Sequence, residues 1–232
     1  MPPATILISG GLDSTVLLHY VAKRLHRAPL YSLSFNYAQR HVREPEMAAW
    51  QSEHVAEVKE HHIIDLTMFE EVIGGASSLV AGGERVPSLN ELKETEHDQP
   101  PTYVPNRNMI LLSLAAAFAE SRDCDTVYYG AQAQDMYGYW DCTSEFIERM
   151  NRVLSLNRRT PVKVAAPFVN KSKAEEISLG HDLGVDFAHT WSCYRGKNVP
   201  CGECPTCVER RTAFEKAGFI DPLARNSWDE TS

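Results

Sequence analysis

The sequence predicts a parallel, doubly wound α/β sheet of five strands, followed by a C-terminal zinc-binding appendage. Three observations carry this expectation. A short, continuous apolar segment with β-branched residues stands at 4–9, and further short strand candidates recur at 30–35, 62–66, 126–129 and 162–165. Unbroken runs, as opposed to alternating ones, mark strands covered on both faces. The stretches between most of them carry apolar residues at helical spacing, and strands alternating with helices make a parallel sheet. Finally, four of the six cysteines fall within fifteen residues near the C-terminus.

The elements follow in order. Ala4–Ser9 is a buried strand ended by Gly10 and Gly11. Val16, Leu17, Tyr20, Val21 and Leu25 space a helix over Thr15–Arg27. Leu30–Phe35 is the second strand. Glu44–Lys59 is a helix with Pro45 in its first turn, where a missing N–H costs little. His62–Leu66 is the third strand. Asn108–Arg122, rich in Leu and Ala, is a buried helix, and Thr126–Tyr129 is a strand ended by Gly130. Thr143–Leu156 is helical, Val162–Ala165 is the fifth strand, and Ser172–Leu183 is a helix stopped by Gly184. Two stretches fall outside the pattern. Gly74–Asn106 reads as a long loop, a class that is usually functional or disordered, and residues 186–210 hold the cysteines. The division expected is a domain over 1–185 and a zinc-binding C-terminal region over 186–232 packed on it.

Composition narrows the function. With 23 basic and 31 acidic residues the net charge is −8, which argues against a protein that grips nucleic acid through its phosphates. The longest apolar stretch, Met109–Ala119, is shorter than the span of about 20 residues a membrane needs. The N-terminus has no basic region and no long apolar segment, so no secretory signal is read there. A cytoplasmic protein is expected.

The string Ile8-Ser9-Gly10-Gly11-Leu12-Asp13-Ser14-Thr15 follows the first strand and opens the first helix. Its glycines let the backbone approach an anion closely. Ser9, Ser14 and Thr15 offer hydroxyls, and the helix presents free N–H groups and its positive dipole end to the same point. The geometry suits a pyrophosphate. Asp13 would repel that anion unless it held a cation, which points to Mg²⁺.

Cys193, Cys201, Cys204 and Cys207 are separated by seven, two and two residues. Four thiolates complete a tetrahedral Zn²⁺ shell and leave no open position, which marks a structural site. Arg195, Lys197, Arg210 and Arg211 are placed to offset its charge. A redox pair would leave two cysteines unexplained, whereas an iron–sulfur cluster is compatible with the spacing. Cys124 reads as a buried apolar residue; Cys142 is open to either reading. His41, His61, His62 and His97 have no metal-ligand spacing.

The SGGxDS string resembles the PP-loop of the ATP pyrophosphatases. Further along stand Ser34-Phe35-Asn36-Tyr37-Ala38-Gln39-Arg40-His41, Val104-Pro105-Asn106-Arg107-Asn108, Asp141-Cys142 with Glu145-Phe146-Ile147, Lys173-Ala174-Glu175, and Pro200-Cys201-Gly202-Glu203-Cys204. In this order they resemble the 7-cyano-7-deazaguanine synthase family over nearly the whole chain. The resemblance implies an adenine nucleotide α-hydrolase-like fold and an ATP-dependent carbon–nitrogen ligase. A 7-carboxy-7-deazaguanine would be adenylated, converted by ammonia to the amide, and activated again to give the nitrile, with release of AMP and pyrophosphate. It implies ATP, Mg²⁺ and Zn²⁺ as cofactors, a homodimer, and no direct nucleic-acid or membrane partner.

By the same resemblance Ile8, Ser9, Gly10, Gly11, Leu12, Asp13, Ser14 and Thr15 hold the nucleotide. Asp13, Lys173 and Arg107 are catalytic, and Arg40, Arg107, Asn108 and Asp141 bind substrate. Physics supports the placement, because open α/β sheets bind ligands beyond the carboxyl ends of their strands. There Arg40, Arg107 and Lys173 would meet ATP and a carboxylate, and Asp141 would accept from a guanine-like edge. Phe35 and Tyr37 could stack on adenine or belong to the core. Two positions depart from the family pattern: Trp140 stands where it has Pro, and Asn106 where it has Gly. They lie in the presumed substrate region, so a variant that stops at the amide is an alternative. Another PP-loop ligase or tRNA-modifying enzyme is a second one, opposed by the acidic charge.

Overall fold

The five strands form one parallel sheet in the order β3-β2-β1-β4-β5: β1 Ala4–Leu7, β2 Leu30–Asn36, β3 Val58–Asp65, β4 Thr126–Tyr128 and β5 Lys163–Ala165. This computed structural model describes residues 2–39, 43–73, 75–79, 100–133, 138–195 and 199–224. The order reverses between β1 and its two neighbours, β2 and β4, both of which pair with it in parallel. A crevice therefore opens at the carboxyl end of β1, the topological switch point.

Seven α-helices are seen among the described residues: α1 Leu12–Lys23, α2 Glu44–His54, α3 Phe69–Ile73, α4 Arg107–Glu120, α5 Ser144–Leu154, α6 Lys173–Asp182 and α7 Pro205–Ala217. They bury the two sheet faces separately. One core joins Tyr31, Leu33, Phe35 and Val127 of the sheet region to Leu112, Ala115 and Ala119 of α4 and Phe146 of α5. The other joins Ala4, Ile6, Leu30 and Tyr128 to α1, to Ala48 of α2, to Ile177 of α6 and to Phe214 of α7. Both faces of the inner strands β1 and β2 are covered, which is why they read as apolar segments without alternation.

Three expectations shift. The second helix ends at His54, not Lys59, and β3 begins at Val58, not His62. β3 is an edge strand, and its Lys, Glu and His residues are half-buried or exposed along it, so they read as the tail of an amphipathic helix. The helix α7 within the cysteine region was not anticipated. Its sequence is mostly polar, and only tertiary contacts with α6 and the second core give it an apolar side. Among the described residues no helix is long and apolar enough to cross a membrane. The greater part of the Gly74–Asn106 loop lies outside the described residues.

Candidate active site and cysteine cage

β1 delivers the chain to the crevice, with the Ile8 N–H donating to the Leu33 carbonyl at 2.8 Å. Gly10 then turns at φ +86°, and a Cβ there would stand 2.1 Å from the Glu44 carbonyl oxygen and 2.7 Å from the Ala48 nitrogen. The loop can lie against the first turn of α2 only because this residue has no side chain. The first intrahelical bond of α1 runs from the Thr15 N–H to the Gly11 carbonyl at 3.1 Å. Leu12, Asp13 and Ser14 thus bring N–H groups without intrahelical acceptors to the cavity they line. The serines are tied together: Ser9 Oγ accepts from the Gly11 N–H at 3.1 Å and lies 3.1 Å from Ser14 Oγ. Thr15 is fully buried and, unlike Ser9 and Ser14, does not line the cavity. Gly130, at the end of β4, completes the cradle, because a Cβ there would reach within 3.2 Å of the Ser14 nitrogen.

The cavity measures about 270 Å³. Lys173 enters it from the first turn of α6, which a capping box between Ser172 and Glu175 starts at this residue. Its Nζ lies 3.6 Å from Asp13 Oδ2 and 3.3 Å from Glu209 Oε2. The other oxygen of Asp13 is buried with no hydrogen-bond partner. Glu44 lines the cavity at the start of α2. Burial, reinforced by Asp13 and opposed by Arg107, pushes its carboxyl up to about 8.

The opposite wall is built from α4 and the loop after β4. Arg107 donates to the Asn108 side-chain oxygen at 3.3 Å and to Tyr37 OH at 3.5 Å. Burial works against its charge, but Tyr37, Cys142 and Asp141 outweigh it and raise its pKa. Asn108 donates to Cys142 Sγ at 3.2 Å, and both line the cavity with Tyr139. Asp141 is 2% exposed and stands behind this wall, where its Oδ2 accepts from the Asn108 N–H at 3.0 Å. Burial raises its pKa, and Arg107 and Asn108 oppose the shift. Phe35 and Tyr37 line the cavity and belong to the core at once. Arg40 lies outside the described residues.

Successive residues of the loop are clasped to the segment before α4. Tyr139 OH and Thr102 Oγ1 are 2.6 Å apart, and Trp140 Nε1 donates to Tyr103 OH at 2.9 Å. The Asn106 N–H donates to the same hydroxyl at 3.0 Å. The two departures from the family pattern thus meet at Tyr103. Asn106 adopts φ +55°, a left-handed conformation that Asn tolerates better than most residues other than Gly.

The four cysteine sulfurs lie within 4.8 Å of one another, and three of the four residues are buried. Cys201 and Cys207 place theirs 4.0 Å apart, close to the roughly 3.8 Å that four sulfurs about 2.3 Å from a tetrahedral Zn²⁺ require. The Cys201 and Cys204 N–H groups donate to the sulfurs of Cys193 and Cys201, each at 3.4 Å. Hydrogen bonds from Cys193 and Cys207 hold the Cys204 thiol well below the usual range. The donor set fits a tetrahedral thiophilic metal. Arg195 pairs with Glu203 at 2.7 Å. Arg210 is spent elsewhere: it grips Asp221 with two bonds of 2.8 and 3.0 Å and donates to the Phe187 carbonyl. Lys197 lies outside the described residues. Cys124 is fully buried. The cage is joined to the glycine loop, because the Trp191 N–H donates to the Gly10 carbonyl at 2.9 Å and its indole N–H to the Cys193 carbonyl at 3.1 Å.

The chain is similar to known proteins over nearly its whole length. The family model described as queuosine biosynthesis protein QueC matches residues 3–218. The 7-cyano-7-deazaguanine synthase of Marinobacter nauticus is 42% identical over 219 residues, covering 94% of this chain and 95% of its own length. That of Trichodesmium erythraeum is 42% identical over 225 residues, covering 95% and 99%. Among solved structures, the U34-tRNA thiolase NcsA from Methanococcus maripaludis, with its [4Fe-4S] cluster, has a TM-score of 0.51 at 17% identity, covering 97% of this chain and 67% of that one. NMN synthetase from Francisella tularensis has a TM-score of 0.51 at 14% identity, covering 96% and 80%. At these identities the two structures speak for the fold alone. The profile over residues 3–218 and the two synthases at 42% identity speak for more: this chain belongs to the QueC family of queuosine biosynthesis proteins.

Proposed function

We propose that the protein uses ATP to convert 7-carboxy-7-deazaguanine and ammonia into 7-cyano-7-deazaguanine by way of the adenylated acid and the amide. The observation that carries this reading is one cavity with two unlike halves. One half is a glycine loop with free helix N–H groups and Lys173; the other is a wall of Arg107, Asn108 and Tyr139. The pyrophosphate of ATP would lie on Leu12, Asp13 and Ser14, with the Ser9 and Ser14 hydroxyls turning from each other toward it. Lys173 would trade a carboxylate for a phosphate oxygen. Asp13, with one buried oxygen unpartnered, would hold Mg²⁺, which supplies neutralising charge to the departing pyrophosphate. Arg107 would take the substrate carboxylate together with Arg40. Asp141 would serve the substrate through Asn108, which it holds in place. Zn²⁺ fits the cysteine cage in a structural role. A homodimer and a set of small-molecule partners without nucleic acid complete the proposal.

Asp13→Ala and Ser14→Ala are expected to cut AMP formation by on the order of 10²-fold or more, with little change in melting temperature, since both stand in the first turn of α1, at the cavity wall and outside the two apolar cores. Wild-type AMP release by Asp13→Ala would contradict this use of the loop.

The second activation requires the amide to turn its oxygen toward a fresh ATP, and a misplacement of about 1 Å can cost on the order of 10²-fold. The Tyr103 clasp accommodates Trp140 and Asn106 without opening the wall, which favours the nitrile over the amide as product. The test incubates the protein with 7-carboxy-7-deazaguanine, ammonium and excess MgATP and follows product mass. Nitrile with two AMP per product is expected. Amide with one AMP would mark a shortened reaction, and no turnover of the acid would refute both.

A further inference from the structure

Glu44 has no part in the scheme above, yet it occupies the junction of the cavity's two halves. It lines the same cavity as Ser9, Gly11, Asp13 and Lys173 on one side and Arg107, Asn108 and Cys142 on the other. Its Oε1 is 3.9 Å from where a Cβ on Gly11 would stand, so the carboxyl hangs over the loop that would carry the phosphates. The two charges that act on it come one from each half, Asp13 and Arg107. Its backbone is held separately, because the Glu44 carbonyl oxygen packs against Gly10. The side chain is therefore positioned by a rigid contact while its carboxyl remains in the cavity wall.

An acyl adenylate formed here would straddle this junction, with its phosphate over the loop and its ring toward Arg107 and Asn108. Its carbonyl carbon would lie between them. A carboxylate at that point is ill suited to bind either a phosphate or a substrate carboxylate, since it would repel both. It is suited to a small nitrogen nucleophile that carries hydrogens.

We infer that Glu44 forms the ammonia subsite: its carboxylate accepts an N–H hydrogen bond from the incoming ammonia and takes one proton as the carbon–nitrogen bond forms. This rests on the function proposed above. In the step, the ammonia lone pair forms the new bond to the acyl carbon. The bond from that carbon to the AMP phosphate oxygen breaks, and AMP leaves with its electron pair. One proton passes from nitrogen to Glu44, which gives the neutral amide and a protonated side chain. A proton acceptor works best when its own pKa lies near the ambient pH, and the raised carboxyl of Glu44 meets that condition.

The bland reading is that Glu44 is an acidic first-turn residue of α2, favourable beside the helix dipole. A change of nucleophile separates the two. For Glu44→Gln, pyrophosphate release in a single turnover with the acid and MgATP is expected to stay within about threefold of wild type, while amide formation from ammonium falls by on the order of 10²-fold or more. Hydroxylamine, which is unprotonated at neutral pH and more nucleophilic, should capture the adenylate in the variant and give the hydroxamate at close to the wild-type rate. Glu44→Asp, which keeps a carboxylate one methylene back, should recover part of the ammonium-dependent rate. Amide formation from ammonium at the wild-type rate in Glu44→Gln would overturn the inference. So would loss of pyrophosphate release and hydroxylamine capture together, which would make Glu44 a support of the loop. If the wild-type protein releases no pyrophosphate with this acid, the proposed function itself fails, and the subsite with it.

Discussion

Gly10→Ala is expected to lose ATP-dependent turnover and to melt well below the parent protein. The added Cβ would stand 2.1 Å from the Glu44 carbonyl oxygen and 2.7 Å from the Ala48 nitrogen. Both are backbone atoms, so no side-chain rotation relieves the clash. The residue also sits at φ +86°, which costs an L-residue about 1–2 kcal/mol. Forcing the neighbours apart adds about 1–3 kcal/mol. The combined loss, about 2–5 kcal/mol, is a large part of the 5–15 kcal/mol that typically holds a domain together. Relief would have to come from moving α2, which carries Glu44 and the fully buried Ala48, or from moving the loop, which the Trp191 N–H holds at the Gly10 carbonyl. Either movement displaces the N–H groups proposed to bind pyrophosphate. Thermal denaturation together with AMP release checks this, and an unshifted melt with normal turnover would show that the loop does not need this approach.

Cys204→Ser should lose the metal and much of the fold together. Cys204 is fully buried, and its sulfur sits in the cage with those of Cys193, Cys201 and Cys207. Structural zinc in small thiolate sites contributes about 10–16 kcal/mol of apparent binding free energy at neutral pH. That equals or exceeds the net stability of a typical domain, so a large part of it must be spent on ordering the segment around the cage. Serine is a poor substitute, because its hydroxyl does not ionise as a thiol does. The damage is expected to spread. Thr206, beside the cage, donates to the Ser192 carbonyl at 2.6 Å, and Trp191 joins Cys193 to Gly10, so a loosened cage releases the glycine loop as well. Metal analysis of the parent should find one zinc per chain, and the variant should show less metal and lower solubility. Iron in the parent, or a folded and metal-free parent, would overturn the zinc assignment.

The glycine loop and the cysteine cage were legible in the sequence for the same reason. In each, the groups that act together lie within fifteen residues of one another, and local backbone geometry alone brings them to one point. The inner strands β1 and β2 were legible because burial on both faces leaves no alternation to mislead. β3 was misplaced at its start because an edge strand, half wet along its length, carries polar residues that mimic a helix tail. The helix α7 was missed because its apolar contacts, through Ala213 and Phe214 to the second core, are made across the fold and leave little periodicity in the chain.

Glu44, Glu209 and the Tyr103 clasp had no signal in the sequence. Glu44 looks like an ordinary first-turn acid until the strand order lays α2 against Gly10. Glu209 looks like a surface residue of a charged stretch until α7 packs on α6 and brings it to Lys173. Asn106 and Trp140 read as two separate departures from a family pattern until Tyr103 is found accepting from both. The sequence by itself determined the class of fold, the glycine loop, the cysteine cage and the family, because these depend on residue type and short-range spacing. Only the tertiary structure decided which side chains form the walls of the cavity, because those walls are assembled from strands and helices far apart in the chain and brought together by the order β3-β2-β1-β4-β5.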